Sequence, residues 1–250
     1  MIAEPLAHGD TWLHRMDPRL RIVTAAVFCC TVAVFHDFTA LAAAGAAAAV
    51  LLLIPGLAMR AVARRLAVVS GFLLLIWLLL PLTYEGDLLV KWGPLPLYRP
   101  GIALSARITL KAFAIVAVFT ALVATMPVST LGQSLGRLRV PAKLVYLLLM
   151  CYRYIFVIEQ EYQRLRAAMK IRGFAPRTDL HTYRSYAYLV GMLFVRAAAR
   201  AERVHQAMRC RGFDGRFHSL AVFAPHPANR WFAAVSASVM IALLWLEWCG

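Results

Sequence analysis

Phe72-Leu73-Leu74-Leu75-Ile76-Trp77-Leu78-Leu79-Leu80 lies inside an uncharged run from Leu66 to Thr83. A helix of that length reaches about 27 Å at 1.5 Å per residue, close to the ~30 Å apolar thickness of a bilayer. The run has no polar side to turn toward water, so it reads as a membrane span and sets the class of the chain. Composition agrees: of 250 residues, 62% are hydrophobic and 16% charged, and the mean hydropathy is +0.68. A multi-spanning, all-α membrane protein is the expectation.

Working outward toward the N-terminus, Arg60, Arg64 and Arg65 interrupt before this run, and two further apolar segments precede them. The polar residues 1–21 end in Leu13-His14-Arg15-Met16-Asp17-Pro18-Arg19-Leu20. Asp17 can cap a helix whose first position is Pro18, because proline's missing N–H costs nothing there. A first span is therefore expected from Pro18 to about Phe35. A second runs from Phe38 through the alanine-rich Leu41–Leu53 to Pro55-Gly56, after a turn at His36-Asp37. The first twenty residues carry Glu4, Asp10 and Asp17 and show no cleavable signal pattern.

On the other side, residues 84–101 contain Gly93-Pro94-Leu95-Pro96 and Pro100-Gly101, with Tyr84, Trp92 and Tyr98 nearby. They read as a turn-rich loop at an aromatic interface. A fourth span is expected from Ile102 to Met126. Its Arg107 and Lys111 share one face and are expected to meet other helices or snorkel rather than face lipid. A last apolar run, Trp231–Trp248, is long enough to be a fifth span.

The formal net charge of +15 is unevenly spread: seventeen of the 27 Lys and Arg residues fall between Met126 and Arg230. The segments before span one and between spans two and three hold Arg15, Arg19, Arg21, Arg60, Arg64 and Arg65, whereas the opposite side holds Lys91 and Arg99. Positive residues stay inside, so the N-terminus and residue 127 are expected to be cytoplasmic in a multi-pass protein of the cell membrane. Residues 127–230 then read as a cytoplasmic helical platform, with helices near Val128–Arg139, from Pro141 to Arg172 and from about Tyr183 to Arg211. The domain organisation expected is 1–126 for four transmembrane helices, 127–230 for the coupling platform and 231–250 for the last helix.

The platform contains one sequence written twice. Ala168-Met169-Lys170-Ile171-Arg172-Gly173-Phe174 returns 39 residues later as Ala207-Met208-Arg209-Cys210-Arg211-Gly212-Phe213. In each copy helix formers lead to cations and then to a glycine, which can take the left-handed conformation that closes a helix. A cap needs only glycine and any cation. Here both copies use arginine, the planar five-donor group suited to acidic partners. Ile171, Arg172, Gly173, Cys210, Arg211 and Gly212 are the candidate site.

Enzyme signatures are missing: no paired carboxylates, Gly-rich phosphate loop, G-x-S-x-G elbow or H-E-x-x-H helix occurs, so no catalytic residue and no cofactor is expected. Cys29, Cys30, Cys151, Cys210 and Cys249 form no C-x-x-C pair and suggest neither disulfides nor zinc. The seven histidines lack ligand spacing, and His218 and His226 near Asp214 read as surface rather than a metal site. Glu159 and Glu161 sit at helical spacings from Arg164 and Arg166 that favour ion pairs.

Leu-His-Arg-Met-Asp-Pro-Arg (13–19), four spans, Met126-Pro127, Leu138-Arg139-Val140-Pro141, Tyr152-Arg153-Tyr154 and the two R-G-F helix ends follow one another in an order that resembles the transmembrane T component of energy-coupling-factor (ECF) transporters, CbiQ type. The likeness covers nearly the whole chain, and its most specific part is the motif pair, written Ala-Arg-Gly or Ala-Arg-Ser in much of that family. This sequence has Ile171 and Cys210 where alanine is usual. The resemblance implies a non-catalytic subunit of an ABC importer for cobalt or nickel. It implies two ATPase subunits (CbiO-like), one on each arginine helix end, and a substrate-binding membrane subunit (CbiM-like). The rival reading is an integral-membrane enzyme acting on a phosphorylated lipid or isoprenoid at the cytoplasmic face. It lacks the Mg²⁺-holding aspartates, since the platform has only Asp179 and Asp214. A nucleic-acid anchor is not expected, because the basic region is Arg-rich with apolar helical periodicity.

Overall fold

The computed structural model describes residues 13, 16–53, 59–84, 88–92, 95–213 and 227–249. Its order is α1 (Pro18–Val34), α2 (Phe38–Leu53), α3 (Met59–Thr83), β1 (Leu88–Trp92), β2 (Leu95–Tyr98), α4 (Arg99–Leu122), α5 (Val128–Arg137), α6 (Ala142–Ile171), α7 (Leu180–Cys210) and α8 (Pro227–Cys249). The chain divides into two compact units, one of residues 2–134 with 222–250 and one of residues 135–221.

In the first unit, α1 begins as its sequence requires. Asp17 Oδ1 accepts the Arg19 N–H at 3.0 Å, and Pro18 opens the helix. The Asp17 N–H in turn donates to Asn229 Oδ1 of α8 at 3.2 Å. At the far end of α1, the Glu247 carboxylate accepts from the His36 and Asp37 N–H groups at 2.7 and 3.3 Å, so α8 ties the α1–α2 turn as well. Small residues set the interior: Ala40, Ala44 and Ala48 of α2 and Ala114, Ala117 and Ala121 of α4 are all buried. Short side chains let helix backbones approach closely where the surroundings offer no hydrophobic drive of their own.

The helices α3 and α4 approach closely at Gly101. A Cβ placed on Gly101 would lie 2.8 Å from both the Leu80 carbonyl oxygen and Pro81 Cα, which are backbone atoms that cannot swing away. Nearby, the Trp77 indole N–H donates to Thr109 Oγ1 at 2.8 Å. Gly101→Ala should force the two helices apart, and overpacking of this kind costs about 1–3 kcal/mol. The expected result is a lower melting temperature in detergent for Gly101→Ala. Gly71→Ala, where nothing lies within 4 Å of the added Cβ, should leave it unchanged.

Among the described residues, three helices are long and apolar enough to cross a membrane, over Val62–Thr83, Arg99–Leu122 and Asn229–Trp248. The helices α1 and α2 are shorter, at 17 and 16 residues. Large apolar side chains lie exposed along α3 and α8, with Val68 at 74%, Leu74 at 70% and Trp245 at 67%. A water-soluble domain would not expose contiguous surface of this kind, whereas a lipid-facing one must. The chain is an all-α membrane protein apart from one hairpin.

That hairpin departs from the sequence expectation of a loop over residues 84–101. The strands β1 and β2 pair antiparallel, with Trp92 opposite Leu95 and Leu88 opposite Tyr98 and an irregularity between Leu88 and Val90, and α4 already starts at Arg99. Val, Trp and Tyr favour extended backbone, and a two-stranded ribbon consists only of edges, where Pro96 is tolerated. Arg60, Arg64 and Arg65 likewise do not form a connecting loop but belong to the first two turns of α3, as suits arginine's helix propensity. Arg107 and Lys111 face neighbouring helices. The Arg107 guanidinium lies 4.8 Å from the Phe38 ring centroid, and Lys111 Nζ donates to the Ala33 carbonyl at 2.9 Å in the last turn of α1.

In the second unit, α6 and α7 are 30 and 31 residues long. They run antiparallel, since Tyr146 meets Phe213 near one end and Phe174 meets Tyr186 near the other.

Candidate functional site

Both copies of the repeated sequence end a helix in the same way. The Phe174 N–H bonds back to the Met169 carbonyl at 3.1 Å and the Gly173 N–H to that of Lys170 at 3.1 Å. The second copy repeats this, with Phe213 N–H to Met208 at 3.1 Å and Gly212 N–H to Arg209 at 3.0 Å. These paired bonds are the Schellman motif, which satisfies carbonyls left over at a helix end and needs a left-handed residue after the cap. Gly173 and Gly212 supply it, at φ +80° and +78°. Nothing lies within 4 Å of a Cβ added to either glycine, so conformation rather than space selects glycine there.

The third letter of each R-G-F has a separate job. Phe174 packs edge-on against Tyr186 at 5.7 Å, and Phe213 lies 6.5 Å from the Tyr146 ring. Each ring turns back onto the helix pair, which fixes the direction in which the chain leaves the helix. Arg172 and Arg211 occupy the capping positions at φ −78° and −94°, with nearly equal ψ of 12° and 13°. Both are exposed. Ile171 beside the first is 87% exposed, and Cys210 beside the second is exposed as a free thiol. A bulky apolar side chain and a guanidinium, both bare at a rigidly capped helix end, make a surface suited to cover by another protein. The 31-residue α7 is roughly 46 Å long at 1.5 Å per residue, so the antiparallel arrangement places the two arginines at opposite ends of a long hairpin.

Midway between them lies a charge cluster that the sequence reading missed in part. Glu161 is the buried acid of this unit among the described residues, and it accepts a hydrogen bond from Arg196 Nη1 of α7. Arg164 Nη1 and Arg200 Nη2 lie 3.6 and 3.8 Å from its other oxygen. The hydrogen bond from Arg196 holds the Glu161 carboxyl below the usual carboxylate range, helped by the three positive charges and opposed by partial burial. The i,i+3 pair with Arg164 was expected from spacing. The cross-helix pairs were not, although Arg196 and Arg200 at i,i+4 around three alanines form a basic stripe that a single acid could answer.

No group of three or more His, Cys, Asp or Glu residues that could hold a metal occurs among the described residues. Asp214, His218 and His226 lie outside them.

The first unit is an all-α membrane unit and the second a helix pair with an exposed arginine on a Schellman-type cap at each end. The sequence comparisons give the particular family: residues 9–220 match the family described as cobalt transport protein, CbiQ, and the chain belongs to it. It is similar to an uncharacterized protein of Methanocaldococcus jannaschii, at 29% identity over 61% of this chain and 57% of that one. It is also similar to the cobalt transport protein CbiQ of Rhodobacter capsulatus, at 31% identity over 54% and 55% of the two chains. These two matches therefore span little more than half of either relative's length. A longer match, at 25% identity over 83% of this chain and 82% of the relative, is to the energy-coupling factor transporter transmembrane protein EcfT of Thermosediminibacter oceani.

Proposed function

We propose that this chain is the transmembrane coupling (T) subunit of an ECF-type ABC importer, most specifically for cobalt or nickel uptake. It links two cytosolic CbiO-like ATPase subunits to a CbiM-like membrane subunit that holds the substrate. The single observation that carries the reading is the duplicated helix end: one exposed arginine on the same closed cap, presented at each tip of one hairpin. A guanidinium there projects its N–H fork past the last turn, toward any groove offering carboxylate or backbone oxygens. The rigid cap transmits displacement of that groove into the helix instead of absorbing it. Two ATPase subunits that close on ATP and open after hydrolysis would move the two tips, and the hairpin would carry that movement to the membrane.

In this reading Ile171 and Cys210 flank each docking arginine, Gly173 and Gly212 set its direction, and the chain itself holds neither nucleotide nor metal. The N-terminus and residues 127–230 face the cytoplasm and Cys249 faces outward. Purification of a tagged version in mild detergent, from its native host cells, should recover a protein with a Walker A loop. Recovery of the tagged chain alone counts against the reading. Its topology is checked by impermeant thiol labelling of intact cells in single-cysteine variants. Cys249 should label and Cys210 should not, and the reverse pattern inverts the assignment.

A further inference from the structure

If two tips of one hairpin are to move in concert, something must fix how its arms cross. The contact nearest the middle is polar. Glu161 of α6 meets Arg196 of α7, roughly 16 Å from Arg172 and roughly 22 Å from Arg211 at 1.5 Å per residue. Ring contacts close the helix pair near its two ends, at Phe174–Tyr186 and Tyr146–Phe213, but the packing between them is interrupted by clefts. A cleft of about 300 Å³ starts at the cluster, where Glu161, Arg196 and Arg200 line it, and extends toward the Arg211 tip among Tyr146, Met150 and Met208. Toward the Arg172 tip a second cleft of about 590 Å³ opens among Leu165, Met169, Phe174, Tyr188, Leu189 and Met192. Side chains separated by such gaps forfeit the dispersion contacts that would otherwise lock a crossing angle.

The cluster has more cations than its acid can use. One carboxylate oxygen takes Arg196, while the other faces Arg164 and Arg200 at 3.6 and 3.8 Å. The Glu161 side chain is only 11% exposed, whereas those of Arg196, Arg200 and Arg164 are 47%, 39% and 72% exposed. The acid is thus the fixed member and the arginines are the members free to swing. Arg196 and Arg200 stand about one turn apart on α7, roughly 6 Å along its axis. Packed helices shift by steps of about 1–2 Å and in some cases by a whole turn, because packed interfaces are bistable rather than continuously deformable.

We propose that Glu161 is the pivot of the hairpin: a positioning residue that holds α6 to α7 through Arg196 and passes to Arg200 when the crossing shifts. A second cation, already 3.8 Å from the other carboxylate oxygen, lets the crossing shift without ever leaving the carboxylate unpaired. Replacing Glu161 frees the crossing, while replacing Arg200 leaves the resting crossing intact and removes the second position. The pivot stands on the geometry of α6 and α7 alone; its consequence for transport rests on the coupling function proposed above.

The test uses two exposed native thiols, Cys151 on α6 and Cys210 at the end of α7, as spin-label sites. The other cysteines, Cys29, Cys30 and Cys249, are changed to alanine, and the full chain is measured in detergent by pulsed dipolar spectroscopy. Glu161 should give one narrow distance, Glu161→Gln a broad distribution, Glu161→Asp the original maximum, and Arg200→Ala the resting distance unchanged. A Glu161→Gln distribution that superimposes on the original overturns the pivot.

The second arm reconstitutes the unlabelled complex and measures ATPase recovery, ATP hydrolysis and substrate uptake. Glu161→Gln and Arg200→Ala should each retain ATPase recovery while uptake per ATP falls roughly tenfold, within the range of coupling energies between sites. Unchanged uptake per ATP in Arg200→Ala overturns the step between arginines. Loss of ATPase recovery in Glu161→Gln that Glu161→Asp does not restore also counts against the pivot, because it indicates a role in folding alone. If the unaltered chain recovers no ATPase, the coupling function fails, and the distance measurement still decides the pivot.

Discussion

If the chain has the coupling function proposed above, the double variant Arg172→Ala/Arg211→Ala is expected to lose the ATPase subunits that dock on it. Truncating one member of a desolvated, hydrogen-bonded charge pair costs about 2–5 kcal/mol, much of it from the partner group left unpaired. Each single change should therefore weaken docking by between roughly 30-fold and several thousandfold. Because the two arginines end separate helices at opposite tips, their effects should be close to additive, as for sites with no shared partners. Lysine should rescue only in part, since it restores charge without the planar fork. Arg177 lies exposed in the segment just after the first cap and serves as the control, expected to contribute about 0–1 kcal/mol as an exposed charge. The measurements are ATPase recovery on the tagged chain and substrate uptake. Wild-type values for both in the double variant, with Arg177→Ala behaving alike, would remove the docking assignment.

The helix ends were legible because their rules are local. Asp17-Pro18 announces a helix start, and Gly173 and Gly212 announce left-handed closures, with no knowledge of the rest of the chain. The apolar runs over Val62–Thr83, Arg99–Leu122 and Asn229–Trp248 were legible for a similar reason, since a span is defined by length and the near absence of charge. What lay beyond local reading was partnership across distance. Glu161 looked like a local ion-pairing acid, but its main partner stands 35 residues further along the chain. Glu247 sits alone in an apolar run, and only the fold brings it to the N–H groups of His36 and Asp37, 211 and 210 residues away. The β1–β2 hairpin was hidden by its prolines and glycines, which read as a loop whenever the two strands that flank a turn are short.

Arg21 shows the same limit with a consequence for stability. Counted by sequence among the basic residues flanking span one, it is 1% exposed inside the first unit. Its Nη1 donates to the Leu13 carbonyl at 3.0 Å and its Nη2 to Thr125 Oγ1, whose own hydroxyl donates to the Ala121 carbonyl at 2.7 Å. The guanidinium thus ties residue 13, α1 and the turn after α4 through two acceptors. Thr125→Val preserves shape but removes one of them, and a lost hydrogen bond to a buried charge costs about 1.5–3 kcal/mol. For a chain of this size that corresponds to a fall in melting temperature of roughly 3–12 °C. Arg21→Met should be milder, because it withdraws the charge together with its desolvation cost, as replacements of buried ionic groups by apolar ones often do. The double variant Arg21→Met/Thr125→Val should then be no less stable than Arg21→Met, since the valine no longer strands a cation. Thermal unfolding of the four proteins in one detergent closes this cycle. Equal melting temperatures for wild type and Thr125→Val would mean that the Arg21 charge does not depend on the threonine hydroxyl.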